Sequence, residues 1–388
     1  MEIRLGRTCF LVGAILFVGY VMIFISVVLQ STSSTGIRGS LTALQDELTV
    51  ARSEVRIKDA EVINARIEVS EKDKQIEKLQ TAINQYKALE EVVNKGDGAH
   101  RPGVIILGMH RSGTSIVGGL INKMGLNTGG PLIRPAEDNE KGFFERIDVV
   151  LQNDELMKRQ NVHYAYNTHA YDASQGVKDA LTLYNDHFFG EGRRGLKFLN
   201  DPANYPWMLK DPRLCITLRT WLPLLNFVPA VLYTYRHPYD VALSLSKREH
   251  YRIGLGLKMW YVYNKRAIQQ SQDLCRVSAA HKKIMTNPQF ELDRIFEGLR
   301  QCGVPVPHKV SPSDVASFID PKLQHGKSTL KDNSCEKDVS TLLPPETWQT
   351  TEAAHIKLYR EAMRVYCALE DGSALKPEFK WDESIVDM

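Results

Sequence analysis

Apolar residues follow three rhythms along this chain, and each predicts a different kind of element. From 9 to 29 no residue is charged and most are apolar, a length matched to a helix crossing a bilayer. The run exceeds the apolar core of a cleavable signal peptide, and Arg4 and Arg7 precede it. An uncleaved signal anchor is therefore expected, with residues 1–8 cytosolic and everything after 29 on the far side of the membrane. Residues 30–40 are rich in Ser, Thr and Gly and read as a spacer.

From 41 to 93 the rhythm becomes a heptad repeat. Its a positions are Leu41, Leu48, Val55, Val62, Val69, Ile76 and Ile83, and its d positions are Leu44, Ala51, Lys58, Ala65, Lys72, Leu79 and Tyr86. Neither Pro nor Gly interrupts it, and the largely β-branched a row favours a parallel two-stranded coiled coil, hence a homodimer. Lys58 and Lys72 weaken the seam. Of the flanking g-to-e′ pairs, Glu47 with Arg52 and Glu61 with Arg66 attract, whereas Glu54 with Asp59 and Glu68 with Asp73 repel. A single solvated helix is the alternative, and on either reading residues 30–99 form a stem.

Beyond a linker at 94–102, short apolar runs alternate with helical periodicity. Residues 104–107, 207–210 and 230–235 read as central strands. Residues 239–249, 254–270 and 289–302 read as helices, as does a stretch beginning near 147. The pattern between 134 and 206 is otherwise poor and is read as a loop, a helix and a substrate-facing insertion, and 304–345 has loop composition. Strand–helix alternation over 100–388 predicts an α/β domain with a parallel sheet covered on both faces.

Composition narrows the chemistry. The chain has 388 residues, 43% hydrophobic and 24% charged, and its formal net charge of +3 is too small for bulk nucleic-acid binding. Of its six cysteines, Cys9 lies in the apolar run. In an oxidising lumen Cys215, Cys275, Cys302, Cys335 and Cys367 allow at most two pairs and leave one thiol over. No Cys or His spacing resembles a metal site, so no metal is expected.

The strongest local signal is the turn after the first strand. Gly108 ends the strand, Gly113 permits an unusual backbone turn, and Thr114 and Ser115 open a helix with Ile116, Val117, Leu120, Ile121 and Met124 at helical spacing. Such a corner aims free N–H groups and a helix dipole at one point and suits a phosphate or sulfate. The Gly108-x-x-x-x-Gly113 spacing matches a Walker A loop, but Thr114 stands where that motif requires Lys. The cations lie inside the loop, at His110 and Arg111, and an Arg fork can hold a tetrahedral anion bidentately. A corner with no ligand and another P-loop nucleotide enzyme, such as a kinase, are the competing readings.

Three separated segments, GMHRSGTS at 108–115, LKDPR at 209–213 and YRHPYDVALSLSKR at 235–248, together resemble the sulfotransferases that use 3′-phosphoadenosine 5′-phosphosulfate. The likeness is to the branch with a KDPR motif found in bacterial and Golgi-type members. It spans about 102–321 and includes GFFE at 142–145. The resemblance implies a P-loop-like parallel sheet and a 5′-phosphosulfate loop made by His110, Arg111, Ser112, Gly113, Thr114 and Ser115. It implies a 3′-phosphate site at Arg236 and Ser244. For charge stabilisation it points to Arg111 and Lys210, and for the base to Glu145, with Asp211, His110 and His163 as rivals; Arg213 would hold the acceptor or buttress Asp211. A Golgi-membrane enzyme acting on a carbohydrate hydroxyl of a glycan or glycoprotein is the leading expectation. Tyrosine peptides, small alcohols and an inactive tether are the alternatives. Two features depart from the family: HKKIMT at 281–286 stands where many members carry a Tyr-Glu-Asp strand, and no clear basic Gly loop for the far side of the 3′-phosphate is visible, Gly326-Lys327-Ser328 being a weak candidate.

Overall fold

The computed structural model describes residues 21–23, 25–26, 35–94, 101–136, 139–183, 190–319, 335–336, 338–345, 348 and 352–387. Contacts divide the chain into two units, Met1–Lys78 and Leu79–Met388. Most of what is described in the first belongs to α1 (Thr35–Asn94), a helix of 60 residues whose positions from 79 onward fall in the second. It starts inside the expected spacer, where Gly36 and Gly39 weaken a helix without ending it and no Pro intervenes. The expected span at 9–29 lies outside the described residues except for 21–23 and 25–26, which are helical. Among the described residues no helix is long and apolar enough to cross a membrane. The Gly326-Lys327-Ser328 loop also lies outside the described residues.

The second unit is built on a parallel four-stranded sheet, β1 (Gly103–Leu107), β2 (Trp207–Lys210), β3 (Ala230–Tyr235) and β4 (Arg276–Ala280), in the order β2-β1-β3-β4. Ile105 stands opposite Leu209 on one side and Val231 on the other. Successive side chains point to opposite faces, and both faces are covered, which is why these strands read as unbroken apolar runs rather than alternating ones. Ile105, Leu107, Leu209, Val231 and Tyr233 join the core formed with α3 (Ile147–Arg159), α6 (Leu214–Trp221), α7 (Pro238–Glu249), α8 (Ile253–Gln270) and α12 (Ala353–Glu370). Val104, Ile106, Met208 and Leu232 join the opposite core with α2 (Thr114–Lys123) and α10 (Pro288–Gln301).

Several elements differ from the sequence reading. The segment between 134 and 206 is more ordered than loop, helix and insertion: α4 (Ala173–Leu183) and α5 (Gly190–Asn200) follow α3. Ala180 and Leu199 are buried, so packing overrides the helix-weakening glycines of both segments. β4 is an edge strand of sequence RVSAA whose Arg276 and Ser278 are only partly buried, too weak a pattern to read in advance. HKKIMT is the short helix α9 (His281–Thr286), which begins where β4 ends. A further short helix, α11 (Pro312–Phe318), interrupts the expected loop at 304–345.

The five cysteines beyond the apolar run form two disulfides, Cys275–Cys302 and Cys335–Cys367, and leave Cys215 free and buried. The first ties the residue preceding β4 to the end of α10.

Candidate active site

Each of the four strands ends at one cleft and delivers a polar residue there. β1 runs into the Gly108–Gly113 turn, β2 ends in Lys210, β3 is followed by Arg236 and β4 by His281. From β1 the chain crosses to β2 on one side, whereas from β3 it crosses to β4 on the other, so the carboxyl ends of β1 and β3 flank the topological switch point. That crevice is where open parallel sheets bind ligands.

The turn is held in a rare backbone form. Arg111 has φ 67° and Gly113 φ 87°, and the Ser112 N–H closes the turn on the Met109 carbonyl at 3.1 Å. Left-handed Arg is costly and persists only where its surroundings demand it. Gly113 is constrained twice, since a Cβ there would also lie 2.4 Å from Cδ2 of His281. As the N-cap of α2 it offers no side-chain acceptor to the first-turn N–H groups. The Ser112 hydroxyl is fully buried with no hydrogen-bond partner. A tetrahedral anion would satisfy such donors.

Arg111 and Ser244, distant in sequence, meet: Arg111 Nε donates to Ser244 Oγ at 2.9 Å. Arg236 closes the group, with one guanidinium nitrogen 3.4 Å from the Arg111 carbonyl oxygen and another 3.7 Å from Asp240 Oδ2. The expected 5′ and 3′ subsites are therefore adjacent, joined through the backbone and side chain of Arg111. Burial lowers the Arg236 pKa from its usual value, opposed by Asp240. His281 borders the same group; burial and then Arg236 push its pKa down to about 3, so its ring is neutral near pH 7.

A second group lies at the β2 end. Lys210 Nζ is 2.5 Å from Glu145 Oε1, 3.1 Å from the Phe143 carbonyl and 3.3 Å from Ser115 Oγ, which also accepts from Asn139 Nδ2 at 3.1 Å. Gly142 at φ 95° and Phe144 at φ 57° bend the GFFE segment back so that Glu145 reaches Lys210. Both side chains are buried, and that burial lifts the Glu145 carboxyl above the usual carboxylate range even with the Lys210 ammonium against it.

The rival bases are placed differently. Asp211 is fully buried and takes hydrogen bonds from the backbone N–H of Arg213 and its NH1, each at 3.0 Å, and from Asn153 Nδ2 at 2.8 Å. Burial would raise its pKa, but Arg213, Asn153 and the Arg213 N–H hold it below the ordinary value. Arg213 also bonds Asp154 at 2.5 Å and so buttresses Asp211. His110 lies between the rings of Tyr164 and Tyr263, at 5.6 and 5.7 Å. Burial, then Arg213, with Lys210 and Arg248 adding to it against Asp211, pushes its pKa down to about 3. His163 is exposed and stacks on Tyr166 at 4.8 Å.

Asn139, Asn153 and His281 were not legible as site residues. Asn139 lies in a segment without a strong periodic signal, Asn153 sits on the helix read from about 147 with nothing in the sequence to pair it with Asp211, and His281 becomes visible only once RVSAA is recognised as a strand.

No family model and no curated protein matches the chain. Among solved structures, the sulfotransferase domain from the Synechococcus PCC 7002 olefin synthase is similar at 14% identity, covering 68% of this chain and 96% of that one, with a TM-score of 0.34. The sulfotransferase domain from the curacin biosynthetic pathway is similar at 14% identity, covering 71% and 99%, with a TM-score of 0.36. With likenesses this distant, function has to be read from the cleft itself.

Proposed function

We propose that the chain transfers a sulfuryl group from 3′-phosphoadenosine 5′-phosphosulfate to a carbohydrate hydroxyl, as a Golgi-membrane protein anchored through residues 9–29. The observation that carries this reading is the Arg111–Ser244 hydrogen bond with Arg236 beside it, because it joins an anion-binding turn to a second cationic group at one switch point. A donor with separate 5′ and 3′ anionic groups matches two such neighbours; ATP lacks the 3′ group, and the loop lacks the Walker lysine. Two disulfides suit an oxidising compartment. For the acceptor, the run of rings from His110 through Tyr164 and His163 to the exposed Tyr166 offers flat faces suited to a sugar ring.

The donor supplies the electrophilic sulfur and a phosphate leaving group. Ser112, Thr114, Ser115 and the first-turn N–H groups of α2 hold the 5′ end, while Arg236 and Ser244 take the 3′-phosphate. Glu145 accepts the acceptor hydroxyl's proton as the new O–S bond forms and the bond to the 5′-phosphate oxygen breaks. Protonation of Glu145 removes the negative partner of Lys210. The ammonium is thereby released to stabilise charge on the leaving oxygen, where a preorganised cation is most effective.

Calorimetric titration with adenosine 3′,5′-bisphosphate, AMP and ATP tests the donor. The wild type is expected to prefer the bisphosphate. Arg236→Ala should weaken it by roughly 10- to 150-fold and leave AMP almost unchanged, whereas Arg111→Ala should weaken both. Equal wild-type affinity for AMP and the bisphosphate would remove the sulfotransferase reading.

A further inference from the structure

From Glu47 to Asp73, α1 keeps a glutamate at every g position and changes only where the opposing cation is stored. The g residues are Glu47, Glu54, Glu61 and Glu68. Where d is Ala51 or Ala65, the next residue, at e, is Arg52 or Arg66; where d is Lys58 or Lys72, it is Asp59 or Asp73. The basic group thus alternates between e and d with a two-heptad period. Two features that weaken a coiled coil when taken singly, lysines in the seam and Glu–Asp pairs beside it, fall in the same heptads and offset each other.

The helix carries an uncovered seam along the same line. Val55, Val62, Val69 and Ile76 are 58%, 50%, 57% and 58% exposed. Val50, Ile57, Ile63 and Ile67 are exposed as well, but they fall at c, b and f positions and make no continuous row. Lys72 already folds back along the helix, its Nζ 2.6 Å from Glu68 Oε1, so its stem crosses the edge of the seam while its charge stays at g.

We propose that α1 is covered by a second copy of this chain in a parallel, in-register, two-stranded coil. In that arrangement Glu47 and Glu61 of each copy meet Arg52 and Arg66 of the other. The paired acids Glu54 with Asp59 and Glu68 with Asp73 are neutralised by Lys58 and Lys72 reaching outward from d. The charges select the orientation, because g faces e′ in a parallel pair but g′ in an antiparallel one, which would set the glutamates against one another. β-branched residues at a select two strands. None of this depends on the proposed catalysis.

The test uses the full-length chain in mild detergent with Cys9→Ser, carrying Val55→Cys, Ile76→Cys or Ile63→Cys, and a short bifunctional thiol reagent. Parallel, in-register pairing links copies through 55 and through 76, while 63 on the outer face stays unlinked. By sedimentation equilibrium, the Glu47→Lys/Glu61→Lys pair should weaken association by about tenfold, and adding Arg52→Glu/Arg66→Glu should restore it. Lys58→Leu/Lys72→Leu should tighten association by about tenfold or more at high salt, where apolar d residues replace lysine stems, and by less at low salt, where Glu54–Asp59 and Glu68–Asp73 then repel with no cation between them. A gain independent of salt overturns the neutralising role of the lysines. A monomer throughout, or a link at 63 in place of 55 and 76, overturns the coil. Failure of the charge reversal to rescue overturns its orientation.

Discussion

Lys210 Nζ lies 2.5 Å from Glu145 Oε1, and the pair is formed by residues from a strand end and a strained turn 65 positions apart in sequence. A buried pair of this kind retains the separate identities of acid and base because the surroundings act on its members differently. Burial works to protonate Glu145, while Lys210 keeps further oxygen partners in the Phe143 carbonyl and Ser115.

Glu145→Gln is expected to lower turnover by roughly 10²-fold or more with nucleotide affinity nearly unchanged. Since the Glu145 pKa is raised, the unprotonated base is lost on the acid side at a higher pH than for an ordinary carboxylate. kcat/KM measured against pH should therefore rise through that raised pKa in the wild type, and the limb should be missing from the residual activity of the variant. An unchanged acid limb in Glu145→Gln would assign the titration to another group.

Asp211→Asn separates structural from catalytic loss. Removing the carboxylate leaves Arg213 paired with Asp154 alone, at a cost of roughly 1.5 to 3 kcal/mol for the lost charged hydrogen bond, seen as a lower melting temperature. The sign with pH follows from its lowered folded pKa: the contribution is present above the unfolded value of 3.8 and disappears as pH falls through the folded one. The wild type should lose stability over that acid range more steeply than the variant. An Asp211→Asn protein that melts normally yet is inactive would move the base to this residue.

Gly113→Ala combines a positive φ with a steric conflict against His281. It should destabilise the fold by roughly 1 to 3 kcal/mol and abolish binding at the turn. Ser244→Ala removes the acceptor of the Arg111 Nε–H together with the hydroxyl proposed for the 3′-phosphate, and should weaken the bisphosphate without lowering the melting temperature. Calorimetry and thermal unfolding on the two variants distinguish a turn that is lost from one that is merely less well oriented.

Cys275→Ser opens the bridge that pins the start of the edge strand to α10 across 27 residues. Its loss should cost about 2 to 5 kcal/mol, measured as a shift in the denaturation midpoint. Reduction of the wild type, which also opens Cys335–Cys367, should give a shift at least as large. A midpoint unaffected by either treatment would show that β4 is secured by packing alone.

The strands β1, β2 and β3 were legible in the sequence because a strand buried on both faces must be continuously apolar, and the turn at 108–115 because only glycine-rich segments make that corner. The long helix was legible for a similar reason, its periodicity being uninterrupted by any Pro. What local pattern does not encode was left to the tertiary structure. β4 interposes the partly buried Arg276 and Ser278 between small buried residues and so carries no continuous apolar run, and α4 and α5 are helical through packing against propensity. The Lys210–Glu145 contact, the Arg111–Ser244 contact and the placing of His281 against Gly113 all arise where strand ends converge. Motif order along the chain names such residues, but only the sheet order β2-β1-β3-β4 decides which of them come within hydrogen-bonding distance.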